Sequence, residues 1–242
     1  MKAAQGWCGM VRHWTASQLR TAVLHQRGAM LALNEYLMRE PLPLATVHEA
    51  IIDVCRGRSD VCLFGAQALN RHTGAPRMTQ DVDIMAENPQ HFADALATAL
   101  QQRFPREMAI RVRVVRRGTK TLGYRVYQSR SEARGGNRHL ADVRAFDVPR
   151  RHVTKTDGVQ YTDAKLTIAM KAIAAAVRTN RAKRLQDLAD LARLVVAMPE
   201  VTAEELEPLW VELQAPQSAR SVFEEMRSSG SLAAETDEDS FY

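Results

Sequence analysis

The sequence predicts an α+β or α/β core with a mixed sheet, followed by an all-helical C-terminal part. Two observations support this. Between about residues 60 and 161, short apolar or alternating segments separated by turn residues indicate strands, with two helical segments among them. From residue 162 onward the apolar spacing becomes that of helices, an order typical of α+β proteins. At 242 residues and 45% hydrophobic content, the chain can bury a substantial core.

The individual elements follow from local patterns. Thr46 and Glu49 form a capping-box pattern that predicts a helix over 46–56, and Pro89 suits the first position of a helix over 90–104. A short helix is expected over 66–72, and C-terminal helices over 164–177, over 183–197 and from 202. The expected strands are 60–64, 81–85, 110–117, 124–128 and 139–148, with a hairpin at 153–161 around Asp157-Gly158.

These elements predict a division into four regions. Residues 1–40 read as an N-terminal helical extension, and residues 41–161 as the α/β domain. Residues 162–228 read as a C-terminal helical domain. Residues 229–242, rich in Ser and acidic residues, read as an acidic disordered tail.

Charge is unevenly distributed along the chain. Residues 101–155 carry 15 Lys/Arg against four acids, and residues 200–242 carry 11 acids against two arginines. The basic stretch, which begins at Arg103 and ends at Lys155, favours a polyanionic partner such as RNA. A solvated basic face balanced by an acidic tail explains the same numbers equally well.

Nothing in the sequence predicts a membrane protein or a secreted one. No apolar run approaches the roughly 18–20 residues that span a bilayer. The first residues lack the apolar core of a secretory signal. The three cysteines are not in a CxxC arrangement, so reduced thiols are expected. We therefore expect a cytoplasmic protein.

The segment Asp81-Val-Asp-Ile-Met poses the central chemical question. Strand residues i and i+2 point to the same face, so Asp81 and Asp83 would project side by side. Two buried carboxylates repel each other, and a divalent cation such as Mg²⁺ or Mn²⁺ resolves the repulsion. The alternative is a strand end where both aspartates reach solvent or pair with Arg77.

The surrounding residues carry a resemblance to a known superfamily. Gly65-Ala66 lies at a strand-to-helix junction, and the pattern G-A-x10-R-x-T-x-D-x-D follows. This pattern resembles the DNA polymerase beta-like nucleotidyltransferases, and most closely the AbiEii-like abortive-infection toxin nucleotidyltransferases. Ala66 departs from the usual Ser or Gly and loses a side-chain phosphate contact, but its backbone N–H remains. The resemblance implies an α+β nucleotidyltransferase fold with a mixed β-sheet flanked by helices and a C-terminal helical region.

The resemblance also implies a third catalytic carboxylate on a later strand. Asp142 and Asp147 are both candidates in the segment HLADVRAFDV. We favour Asp142, because it lies within an apolar run near the start of the strand. Asp147, just before Pro149, is better placed to end that strand. Asp81, Asp83 and Asp142 would then be the catalytic and metal-binding residues.

Further nucleotide-binding residues are implied by the same resemblance. Gly65, Ala66, Arg77 and Thr79 would line the phosphate side of the site. Arg77 could equally form an ordinary ion pair with the aspartates, and Thr79 could stabilise the start of the strand or bond a nearby carboxylate. Lys165 would bind nucleotide phosphates, with Lys171 as its rival, and Asp187 would help form the cleft. For the helical residues, the alternative is a solvent-exposed position without function.

Together these residues predict a Mg²⁺-dependent nucleotidyltransferase that moves NMP from an NTP to an acceptor and releases pyrophosphate. The basic residues 103–155 favour RNA or tRNA as the acceptor over a protein hydroxyl or a small molecule. The resemblance implies a toxin of a toxin–antitoxin or phage-defence system, with a cognate antitoxin as partner. The alternative is a catalytically weak or inactive nucleotide- or nucleic-acid-binding protein of the same fold.

Overall fold

A computed structural model describes residues 42–74, 77–106, 109–132 and 136–236, and side chains as far as Ser229. The predicted N-terminal extension, residues 1–40, lies outside the described residues. The described helices are α1 (Leu44–Cys55), α2 (Gly65–His72), α3 (Pro89–Arg103), α4 (Ala164–Val177), α5 (Arg181–Ala197), α6 (Ala203–Glu212) and α7 (Gln217–Thr236). None of them is long and apolar enough to cross a membrane.

Seven strands form one mixed sheet in the described part of the chain. They are β1 (Val61–Phe64), β2 (Val82–Ala86), β3 (Ile110–Arg117), β4 (Lys120–Gln128), β5 (Arg138–Ala145), β6 (Val153–Thr156) and β7 (Val159–Thr162). Their order is β3-β4-β5-β2-β1-β7-β6. β2 runs parallel to β5 and β1 parallel to β7, while the other neighbours are antiparallel. The predicted mixed sheet is confirmed.

Several local predictions hold because their capping and turn chemistry is satisfied. Pro89 opens α3 behind Asn88, whose side chain accepts a hydrogen bond from the backbone N–H of His91. Thr202 and Glu205 form the capping box of α6. Asp157 and Gly158 both have positive φ, as a two-residue hairpin turn requires.

Several boundaries differ from the sequence prediction. Strand β4 begins at Lys120 rather than residue 124, β5 ends at Ala145 rather than residue 148, and the single helix predicted from residue 202 is two helices, α6 and α7. Helix α1 begins at Leu44 rather than Thr46, with Pro43 at the N-cap and no side-chain capping bond. Helix α7 continues to Thr236, so the predicted boundary at residue 228 falls inside a helix. Ser228 and Ser229 do not end it, since each donates its hydroxyl hydrogen to the carbonyl four residues earlier.

Two apolar clusters hold the structure together. The first lies under the sheet, where Val82 and Ile84 of β2 pack with Val47 of α1 and with Phe92 and Leu96 of α3. The second joins α4, α5, α6 and α7, and reaches the sheet domain through Leu69 of α2. The opposite face of β2, which carries the predicted catalytic aspartates, therefore looks away from α1 and α3 and towards α2 and the C-terminal helices.

Candidate functional site

Three aspartates meet on the face of the sheet that looks away from α3. Asp83 of β2 is the register partner of Asp142 on the parallel strand β5. Asp81 immediately precedes β2, two residues before Asp83, and lines the same cleft as the other two. Asp147 is exposed and lies beyond the end of β5. The structure therefore brings Asp142, rather than Asp147, to the pair predicted from the D-x-D pattern.

The junction between β1 and α2 makes room for one of these carboxylates. Gly65 has φ of +62°, and a Cβ built there would lie 2.1 Å from Oδ2 of Asp83. Both the backbone conformation and the space exclude a larger residue. Glycine at position 65 thus lets Asp83 pack directly against the start of α2.

Burial and mutual repulsion make Asp81 and Asp83 hard to ionise. Burial, followed by the charge of Asp81, raises the pKa of Asp83 to about 7. Burial and the charge of Asp142 also raise the pKa of Asp81. Nearby Lys171 and Arg144 oppose the shift at Asp83 but do not cancel it. The site therefore holds more negative charge than its own surroundings balance.

Asp142 has a cationic partner that the sequence analysis did not identify. Arg125, its register partner on β4, donates to both carboxylate oxygens, with Nε–Oδ1 at 2.7 Å and Nη2–Oδ2 at 2.9 Å. The strand register brings these two opposite charges together, so the ion pair can be predicted only when the pairing of β4 with β5 is known. A carboxylate has about four lone-pair sites, so two remain on Asp142 for other groups.

Cationic side chains from the C-terminal helices form the other wall of the cleft. The cleft has a volume of about 220 Å³. Lys171 and Arg178 lie on and just after α4, and Lys183 and Gln186 lie on α5. One wall is therefore acidic and the other largely basic, an arrangement suited to a ligand that carries both phosphates and metal ions.

A buried ion network holds the basic wall in place. Asp190 is fully buried and receives two bonds of 2.7 Å from the guanidinium of Arg77. Lys171 bridges Asp190 at 2.7 Å and Asp187 at 3.0 Å, and Arg178 Nε lies 2.8 Å from Asp187 Oδ2. Because breaking one partner of a buried ion pair leaves an uncompensated charge, the network fixes these cations relative to the sheet.

The structure corrects one sequence-based assignment and contradicts one of the two interpretations of Arg77. Lys165 does not line the cleft; its Nζ lies 2.9 Å from Glu205 of α6 on an exposed surface. Lys171, six residues later and so on another side of α4, takes the position expected of Lys165. Arg77 lines the cleft as predicted, but its ion pair is with Asp190 rather than with Asp81 or Asp83.

The remaining predicted residues lie where the sequence placed them, although their roles stay predictions. Ala66, in the first turn of α2, lines the cleft. The Thr79 hydroxyl is 3.5 Å from Asp81 Oδ1, a weak contact. Asp187 is 3% exposed and lines the cleft through its pairing with Lys171.

The donor set is compatible with a magnesium or manganese ion at Asp81 and Asp83. Both offer carboxylate oxygens, the ligand type that Mg²⁺ prefers, and both have raised pKa values that a cation would relieve. Among the described residues, no three His, Cys, Asp or Glu side chains already form a ready-made metal cluster. At Asp142, Arg125 engages both oxygens of the carboxylate.

Replacing Gly65 with Ala should destabilise the protein by roughly 2–4 kcal/mol, from the clash with Asp83 and the strained φ together. Gly118→Ala is the matched control, because Gly118 has φ of +61° and nothing within 4 Å of the added Cβ. It should cost only about 1 kcal/mol. Urea unfolding measures both values, and equal losses would contradict the close approach of Asp83.

Asp83→Asn should stabilise the metal-free protein increasingly as pH rises. The folded-state pKa of Asp83 is about 7, above its ordinary value of 3.8. Its contribution to stability is therefore complete below about pH 4 and lost as pH rises through 7. The advantage of the variant should grow by roughly 2–3 kcal/mol between pH 5 and pH 8. Urea unfolding in the presence of a chelator measures it.

The control for this prediction is Asp147→Asn, which removes an exposed carboxylate outside the strand. Its stability difference from the wild type should be the same at both pH values. A stability of Asp83→Asn that never exceeds that of the wild type would show that Asp83 is not held as an unfavourable buried charge.

The chain is similar to known proteins in structure but not in sequence. No protein-family model matches the chain, and no curated protein matches it in sequence. The fold is similar to that of the Megavirus polyadenylate synthase, with 11% identity and a TM-score of 0.52. The match covers 78% of this chain but only 39% of that one, so the chain spans well under half of the synthase.

Two further solved structures match at lower TM-scores. JHP933 from Helicobacter pylori is 15% identical, with a TM-score of 0.46 over 79% of this chain and 90% of that one. The antibiotic-resistance factor ANT(2'')-Ia is 14% identical, with a TM-score of 0.45 over 70% of this chain and 90% of that one. At these identities the similarity concerns the fold alone. The chain has an α+β nucleotidyltransferase fold with a mixed seven-stranded sheet, as the sequence predicted.

Proposed function

We propose that the protein is a Mg²⁺-dependent nucleotidyltransferase that moves NMP from an NTP to a hydroxyl group of an RNA acceptor. The observation that carries the proposal is the pairing of Asp83 with Asp142 across parallel strands, with Asp81 beside them and a basic wall opposite. Paired carboxylates facing fixed cations are the arrangement that in-line transfer of a phosphoryl or nucleotidyl group requires.

The two walls have different roles in this proposal. Asp81 and Asp83 would hold Mg²⁺, which supplies charge neutralisation to the phosphate oxygens when bound. Lys171, Arg178 and Lys183 would bind the β- and γ-phosphates from the helical wall. Because the ion network already fixes Lys171 and Arg178, little reorganisation is needed when negative charge develops on the leaving pyrophosphate.

The proposed transfer is an in-line displacement at the α-phosphorus of the NTP. The acceptor hydroxyl oxygen forms a bond to the α-phosphorus while the bond from that phosphorus to the bridging oxygen breaks. Pyrophosphate leaves with the electron pair, and the hydroxyl proton passes to Asp142. Arg125 would orient the Asp142 carboxylate for this role through its two hydrogen bonds.

A second candidate is favoured by two specific observations. Arg125 neutralises Asp142 and engages both of its oxygens, and Ala66 stands where a phosphate-binding serine is usual in the resembling family. Both features suit a protein that binds a nucleotide or nucleic acid without catalysing transfer. This binding protein would retain NTP affinity but transfer no label.

The AbiEii-like subfamily and a toxin role in a toxin–antitoxin or phage-defence system, with a cognate antitoxin as partner, remain predictions from the sequence resemblance. The cytoplasmic location also remains a prediction. The fold alone supports none of these finer statements, since the same fold serves many acceptors.

A label-transfer assay tests the proposed activity. The protein is incubated with each α-labelled NTP, Mg²⁺ or Mn²⁺ and total RNA, and the double variant Asp81→Asn/Asp83→Asn should lose at least ~100-fold of the transfer rate. Asp147→Asn, which lies outside the cleft, is the control and should transfer normally. Transfer that persists in the double variant would refute the site, and NTP binding without any transfer would favour the binding protein.

A pair of exposed lysines tests which helix surface binds the nucleotide. Lys183→Gln removes a cation from the cleft wall and should weaken NTP binding by roughly 3–10-fold, a typical effect of one partly screened charge. Lys165→Gln removes a lysine paired with Glu205 outside the cleft and should leave NTP binding unchanged. Titration with a non-hydrolysable NTP analogue in Mg²⁺ measures both, and the reverse order would restore the assignment made from sequence.

A further inference from the structure

The described helices that pack on the sheet leave half of the face that carries Asp83 and Asp142 uncovered. Of these, α3 packs on β3, β4 and β5, and it does so on the opposite face, where Ile110, Val112 and Tyr124 contact the first apolar cluster. Among the described residues, the face that carries Asp142 therefore continues without a covering helix across β4 to the edge strand β3.

The open face carries a patch of arginines. Arg111 and Arg113 of β3 pair with Tyr127 and Arg125 of β4, so all four lie on the Asp142 side of the sheet. The bulge near Val115 inserts Leu122 into β4 and leaves the alternation of β3 unbroken, so Arg117 also lies on this side. We call Arg111, Arg113 and Arg117 the β3 arginines.

The β3 arginines carry uncompensated positive charge. All three are exposed, and no described acidic side chain forms an ion pair with any of them. An arginine with a structural role normally forms an ion pair or packs against another side chain. Among the described residues, the β3 arginines make one such contact: the guanidinium of Arg113 lies 6.0 Å from the ring centre of Tyr127. Charge complementarity therefore points to a polyanionic occupant.

The patch is continuous with the catalytic row. Arg113, Arg125, Asp142 and Asp83 are successive register partners on β3, β4, β5 and β2. Neighbouring strands are about 4.8 Å apart, so Arg113 lies about 10 Å from Asp142 across the sheet. The helical cations lie on the other side of the carboxylates, where α4 and α5 close the cleft.

In-line transfer requires the acceptor to approach from the side opposite to the leaving pyrophosphate. We propose that the open face of β3, β4 and β5 binds the single-stranded 3′ end of the acceptor RNA, with the β3 arginines on its phosphates. This inference rests on the proposed function, in which the pyrophosphate leaves on the side of the helical wall. The terminal hydroxyl would then reach Asp142 as the chain crosses Arg125.

Two other side chains favour a single-stranded RNA over a duplex. Tyr127 and His139 face each other across β4 and β5 on the open face and are partly exposed, so a base can stack on them. His139 and Asp142 are polar groups at the end of the patch, where a terminal ribose would present both its 2′- and 3′-hydroxyls. DNA would lack one of these hydroxyls.

RNA binding tests the surface without requiring catalysis. A fluorescein-labelled single-stranded RNA with a free 3′ end is titrated in chelator, without NTP, and followed by anisotropy. The triple variant Arg111→Gln/Arg113→Gln/Arg117→Gln should bind at least ~10-fold more weakly, and its log–log salt slope should fall by about 2. The control Arg151→Gln/Lys155→Gln/Arg220→Gln removes equal charge from β6 and its surroundings and from α7, and should stay within about twofold of the wild type.

The outcomes separate the surface from the activity. Three results would each overturn the proposal. The two triple variants could lose RNA binding equally, or DNA of the same sequence could bind as tightly as the RNA. The third is label transfer to a protein acceptor at a rate that the substitution of the β3 arginines does not change. Loss of RNA binding in the first triple variant alone, with NTP binding retained, supports it. Such a loss together with an absence of transfer by the wild type would refute the enzymatic activity while leaving the RNA surface in place.

Discussion

The parallel pairing of β2 with β5 is the constraint on which the site depends. Hydrogen bonds between these strands set Asp83 beside Asp142, although 59 residues separate the two in the sequence. On the other side of β2 lies β1, which is followed by Gly65 at the start of α2, and Gly65 packs against Asp83. A shift of one residue in either pairing would turn a carboxylate towards the apolar face under α3, so the buried face of the sheet also enforces the geometry of the open one.

The two walls of the cleft carry opposite charges that only partly compensate each other. The sheet wall concentrates three carboxylates, two of which have raised pKa values. The helical wall brings Lys171 and Arg178 to face them, but these cations are already partly committed to Asp187 and Asp190. The cleft is therefore preorganised without being neutralised, which leaves room for a ligand that carries charges of both signs.

The arginines of β3 have a structural consequence as well as a proposed functional one. β3 is an edge of the sheet, and charged side chains on an edge strand oppose pairing with another chain. That effect requires positive charge anywhere along the edge. It does not require the charge to lie on the face of Asp142, nor the row of register partners that runs from Arg113 to Asp83.

The sequence by itself determined the order and type of most elements, because their signals are local. The D-x-D alternation put Asp81 and Asp83 on one face, the choice between Asp142 and Asp147 followed from a position within an apolar run, and Asp157-Gly158 marked a hairpin. The predicted start of α1 was wrong, since Pro43 at its N-cap makes no side-chain capping bond, and the predicted boundary at residue 228 falls inside α7.

Only the tertiary structure decided which cations meet the carboxylates. Lys165 and Lys171 lie on one helix, and the sequence could not tell which of them faces the sheet, because both flank apolar positions of an alanine-rich segment. The pairing of Arg77 with Asp190 and of Arg125 with Asp142 joins residues 113 and 17 positions apart. Such contacts depend on strand register and helix packing, which no local pattern encodes.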